Sequence, residues 1–161
     1  RYQTGFDAGW EIDIWGKIRR DVQSADANLK ASIASYDDAL VTLTGDIAAL
    51  ATLFARVMET GLVRLRLDVL NDDACSKFHL DNVPARLLCT YRGRGTEYGQ
   101  SHAGKEPDPV HQLPAGSVGL FRGRLWSTPE VSGILHRSPQ ISGLQETRLL
   151  LVVDPVTDAA V

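Results

Sequence analysis

Proline, histidine and cysteine are all missing from the first 60 residues. All seven prolines, all four histidines and both cysteines come later, with ten of the fourteen glycines. Two cysteines, Cys75 and Cys89, are too few for a disulfide framework and leave the redox compartment open. No unbroken run approaches the ~18 apolar residues of a membrane span, so no transmembrane helix is expected. A net charge of -3 offers no electrostatic case for nucleic acid. No signal peptide opens the chain, which begins at Arg1 rather than Met and so reads as a processed or excised segment. Its 161 residues could hold one domain with a sizeable core. The abrupt change of vocabulary argues instead for two segments, 1–60 and 61–161.

The first segment is patterned. Over residues 5–15, Phe6, Ala8, Trp10, Ile12 and Ile14 alternate with Asp7, Gly9, Glu11 and Asp13, the period of a strand. A half-buried strand of a soluble sheet is one reading. A membrane-barrel strand is the other, apolar toward lipid and polar toward a wet lumen. Residues 16–59 then predict one long helix, free of proline and, from Lys17 onward, broken only by Gly45. Apolar residues recur at Val22, Ala25, Leu29, Ile33, Tyr36, Leu40, Leu43, Ile47, Leu50, Phe54 and Val57. These steps of three and four form a heptad seam with one stutter between Leu29 and Ile33. A helix of ~40 residues spans about 60 Å and needs partners along its seam. An extended coiled coil is favoured over a helix in an ordinary bundle.

The run Gly9-Trp10-Glu11-Ile12-Asp13-Ile14-Trp15-Gly16-Lys17-Ile18-Arg19-Arg20, followed by Ser35-Tyr36-Asp37-Asp38-Ala39-Leu40, resembles the TolC-like outer-membrane efflux channel family. The likeness is to its lipoprotein-type members and covers residues 5 to about 50. It implies a fragment of a trimeric channel, a passive conduit in the outer membrane and periplasm of a Gram-negative bacterium. Its partners would be a periplasmic adaptor, an inner-membrane pump and outer-membrane lipid. Asp7, Glu11 and Asp13 would face the lumen; Phe6, Trp10, Ile12 and Ile14 would face lipid. Lys17, Arg19 and Arg20 would be interfacial or cross-subunit partners, or simply a solvated basic cluster. A soluble coiled-coil interaction module with no transport role is the alternative.

The second segment breaks the pattern. Leu62–Leu70 alternates like a strand and Asn71-Asp72-Asp73 signals a turn. Short apolar runs follow at Val83–Cys89, Val118–Leu125 and Leu149–Val153, separated by Gly/Pro-rich stretches. The fold expected is mainly α: a barrel-type strand, one coiled-coil helix and an irregular tail with short strands or helices. The tail's load of Arg, Gly and Pro is also what out-of-frame translation of a GC-rich gene would yield, with poor order. Cys75, His79, Cys89 and His102 lack the paired spacing of a zinc site. Gly93-Arg94-Gly95 lacks the strand and helix of a phosphate loop, and no Gly-x-Ser-x-Gly elbow occurs. No cofactor, metal ligand or catalytic residue is assigned and no enzyme is expected. A small enzyme or metal-binding domain in 61–161 is the third class considered.

Overall fold

A computed structural model describes residues 14–102, 105–128 and 132–156. The chain divides into two compact units, residues 1–45 and 46–161. One helix, α1 (Ile14–Val57), supplies the described part of the first unit and enters the second. The strands are β1 (Val63–Leu70), β2 (Ala85–Arg92), β3 (Glu97–Gln100), β4 (His111–Gln112), β5 (Val118–Arg122), β6 (Ile134–Arg137) and β7 (Arg148–Pro155).

All pairings are antiparallel, in a four-stranded sheet ordered β1-β7-β2-β5 and a three-stranded sheet ordered β4-β3-β6. An isolated bridge from His79 to His136 adds one more segment beside β6. With that segment standing as a strand, the chain repeatedly crosses between the sheets. The order is that of a double-sheet jelly roll. This corrects the expectation of a mainly α fold with an irregular tail.

The central strands of the four-stranded sheet, β2 and β7, are buried on both faces. Ala85, Leu87, Cys89, Leu151 and Val153 point to one side, where Phe54 of α1 is buried among them and Ile47, Leu50 and Met58 pack against the cluster. Leu88, Leu150, Val152 and Phe121 point to the other, between the sheets, with Tyr98 and Leu113. Strands apolar on both faces read as unbroken runs rather than alternation, which explains Leu149–Val153. The prolines and glycines that seemed to forbid a core lie mostly in the connections between strands.

The seam of α1 is not a coiled coil. Val22, Ala25, Leu29, Ile33, Tyr36 and Leu40 are exposed, Leu43, Ile47 and Leu50 half-buried, and Phe54 buried. In the second unit its apolar stripe meets a sheet, which asks for the same spacing as a partner helix. Although no unbroken apolar run exists, one 18-residue window of this helix reaches a mean hydropathy of 1.5. By length and composition alone it could cross a membrane, a correction to the sequence expectation. Ile14 is already helical, so its place in a strand is corrected too. Phe6, Asp7, Trp10, Glu11, Ile12 and Asp13 lie outside the described residues.

Asp73 pins the connection between β6 and β7. Its carboxylate accepts the N–H groups of Ile141 and Ser142, each at 2.7 Å. Those backbone donors hold its pKa below the ordinary aspartate value. A depressed carboxyl contributes stability above its unfolded pKa, about 3.9, and loses it as pH falls through the folded value. Asp73→Ala should therefore melt below wild type at neutral pH. The gap between the two should close on acidification past about pH 4, which a series of thermal melts would show.

Candidate metal centre

His79, Asp81 and His136 meet at one end of the space between the sheets. The bridge fixes the two histidines: His79 N–H donates to His136 O at 3.0 Å and His136 N–H returns to His79 O at 3.2 Å. Asp81 follows two residues after His79, and its carbonyl accepts Arg124 N–H at 2.9 Å. One ligand atom from each of the three lies within 4.8 Å of the others. Asp81 Oδ2 is 3.0 Å from His136 Nε2, and Asp81 Oδ1 is 3.7 Å from His79 Nε2. Donors on one face of a metal, each about 2.1 Å from it, stand about 3.0 Å apart. The widest pair would close by up to about 1.8 Å on binding.

The donor atoms are suitably prepared. His79 Nδ1 lies 2.8 Å from the carbonyl of Lys77. A carbonyl only accepts, so Nδ1 carries a proton, and in the neutral ring Nε2 keeps a lone pair for a metal. Asp81 and His136 are buried, at 8% and 4% exposure. His136 Nδ1 has no hydrogen-bond partner, and Asp81 Oδ2 has none beyond its 3.0 Å approach to His136 Nε2, which is unusual for buried polar atoms. Arg86 grips Asp154 with both arms of its fork, Nε–Oδ1 and Nη2–Oδ2 at 2.7 Å, and donates Nη1 to Asp81 Oδ1. It thereby orients the Asp81 carboxylate, as outer-shell partners do around metals.

Electrostatics favour an ionised ligand. Burial opposes the charge on Asp81, but close approach of the His136 and His79 imidazoles and the Arg86 guanidinium outweighs it. The carboxyl is held well below its usual range. His79 is raised, chiefly by Asp81 and against the opposing effect of burial. A cavity of about 240 Å³ opens beside the cluster, lined by Arg66, Arg86, Leu88, Leu150 and Val152 together with both histidines.

Of the four residues weighed for zinc, only His79 belongs here. Cys75 is exposed on the cavity rim, Cys89 is buried on the helix-facing side of the sheet, and His102 is exposed. Asp81 and His136 were missed. The signal available was His79-x-Asp81, two donors that fall on one short segment, with a second histidine far downstream. None of the other residues singled out from the sequence that lie among the described ones, Ile14 and the helix seam, is in this cluster.

His79, Asp81 and His136 thus stand on a jelly roll at the mouth of an inter-sheet cavity, as three side chains that could hold one metal ion. The chain matches over residues 16–154 the model of a family described as "Protein of unknown function (DUF1826)", and it belongs to that family. One family model thus spans both the helix and the second segment, and the resemblance to TolC-like channels is corrected. The description as an efflux channel that followed from it, and the coiled coil read from the heptad seam, lose their support. No curated protein and no solved structure matches the chain.

Proposed function

We propose that this protein is a mononuclear non-haem iron(II) oxygenase. The observation that carries the reading is the convergence of His79, Asp81 and His136 on one point, with an open side toward a cavity. Two imidazoles and a carboxylate on one face leave coordination positions free, the donor set associated with iron(II) oxygenases. Iron bound there would supply the activation of dioxygen. The chain's own residues have narrower tasks. His79 and His136 present neutral nitrogen, Asp81 supplies the negative charge, and Arg86 keeps that carboxylate turned toward the histidines. The apolar walls, Leu88, Leu150 and Val152, limit water around the open positions. This reading departs from the passive conduit and from the non-enzyme that the sequence alone suggested.

The test begins with metal. Protein purified with chelator is titrated by calorimetry with Fe(II) under argon, and with Co(II) and Zn(II). One metal per chain is expected, with Co(II) giving the visible spectrum of a nitrogen- and oxygen-ligated ion. Oxygen uptake that requires added iron would support oxygenase chemistry. Absence of stoichiometric binding by any of these ions would sink the proposal.

A further inference from the structure

Among the described residues, Arg148 is the largest fully buried side chain and forms no ion pair with a carboxylate, although Glu146 is near enough to favour its charge. The exposure of Arg148 is 0%. Nε donates to the carbonyl of Arg94 at 2.6 Å and Nη2 reaches the Thr90 hydroxyl at 3.4 Å. Nη1 has no partner at all. The nearest acid in sequence, Glu146, pairs with Arg94 instead. Two half-buried guanidiniums are neutralised: Arg86 by Asp154 and Asp81, and Arg137 by Glu97. A buried cation with an idle donor is costly unless an anion completes it.

Its position says which anion. Along β7, Arg148, Leu150 and Val152 share one face, because side chains alternate. Leu150 and Val152 line the cavity beside the metal cluster. Arg148 stands one same-face step beyond them, about 7 Å further along the strand. Across β2 the matching residues are Leu88, opposite Val152, and Thr90, opposite Leu150. Leu88 lines the cavity, and Thr90 is the residue that holds Arg148. The inner face of β2 and β7 therefore carries the apolar walls of the cavity next to the metal cluster and, one step beyond the residues that line it, the buried guanidinium of Arg148.

We propose that Arg148 anchors the remote carboxylate of a dicarboxylic 2-oxo acid, a co-substrate whose 2-oxo carboxylate end reaches the metal positions. The inference rests on the iron(II) reading above and names the reductant which that reading leaves open. Hydroxylating a C–H bond with dioxygen takes two electrons from the substrate and requires two more. A 2-oxo acid supplies them when its C1–C2 bond breaks. Substrate C–H, O2 and the 2-oxo acid become C–OH, carbon dioxide and a carboxylic acid one carbon shorter. One oxygen atom enters the alcohol and the other enters the new carboxylate. A guanidinium fork suits the remote carboxylate because it offers two parallel donors.

The experiment uses the full chain and separates the two readings. Metal binding is measured first, with Co(II) and Fe(II) alone, on wild type and Arg148→Met. Equal affinities are expected, since Arg148 is no ligand. Wild type failing at this step would overturn the metal reading itself, and the co-substrate proposal with it. Next, 2-oxoglutarate, pyruvate and glutarate are titrated anaerobically into the Fe(II) protein, followed by calorimetry and by visible charge-transfer absorption. Wild type should bind 2-oxoglutarate about 10- to 100-fold tighter than pyruvate, which lacks the remote carboxylate. Glutarate, lacking the oxo group, should give no charge-transfer band. Arg148→Met should lose the preference over pyruvate while keeping pyruvate's own affinity. Equal binding of 2-oxoglutarate and pyruvate by wild type would overturn the proposal, as would an unchanged preference in Arg148→Met. Should that variant fail to fold, the wild-type comparison decides alone, with Thr90→Val expected to weaken 2-oxoglutarate selectively.

Discussion

Asp81→Ala should reduce affinity for Fe(II) or Co(II) by more than about 100-fold, the upper end of what loss of a supporting residue costs a metal site. The reason is chemical as well as geometric. Asp81 is the cluster's anion, and it already lies 3.0 Å from one imidazole and 3.7 Å from the other. Two neutral imidazoles that remain could hold a divalent ion only weakly. Asp81→Asn should lose nearly as much, because an amide oxygen carries no charge. The apo protein should tolerate either change far better. Arg86 keeps its two bonds to Asp154, so the guanidinium is not left unpaired. A stability loss of about 1–3 kcal/mol is expected, the cost of one charged hydrogen-bonding group. Calorimetric titration beside urea denaturation separates the two effects. Metal affinity unchanged in both variants would mean that the cluster is a structural charge network.

Phe54→Ala should be the most damaging single change outside the site, costing about 3–5 kcal/mol. Phe54 is 1% exposed and lies among Ala85, Leu87, Cys89, Leu151 and Val153. Removing the ring opens a void against the central strands β2 and β7, whose backbones have no room to collapse. Leu29→Ser, on an equally apolar position of the same seam, should change stability by less than about 0.5 kcal/mol because Leu29 is 60% exposed. Urea curves for the two variants give a direct comparison. Similar losses in both would indicate that the exposed seam is covered by a partner in solution. A small loss at Phe54 would mean that α1 does not form part of the jelly-roll core.

The contrast between these two residues shows why the helix misled. A stripe at steps of three and four meets either a second helix or a sheet, since both ask only for one apolar face. The sequence carried the stripe but not its partner. The site was hidden differently. His79 and Asp81 lie 55 or more residues from His136 in the chain, and their backbones are brought together by one pair of hydrogen bonds, between His79 and His136. Backbone pairing of that kind leaves no mark on side-chain spacing. Arg148 was equally silent. An arginine opening an apolar run reads as a solvated strand end, and only burial reveals it as a cation without an anion.

By itself the sequence determined the uninterrupted helix, through the absence of proline and the apolar steps of three and four. It determined β1 through the alternation of Leu62–Leu70, and it marked the apolar runs that became β2, β5 and β7. These are local properties, set by backbone propensity and by which faces of one element avoid water. The tertiary structure alone decided that the runs pair into two sheets, that the central strands of one sheet are buried on both sides, and that His79, Asp81, His136 and Arg148 share one interior. Those outcomes depend on contacts between distant segments. The hydrophobic effect rewards such burial without specifying the partners, and only the closed register of the strands makes the choice.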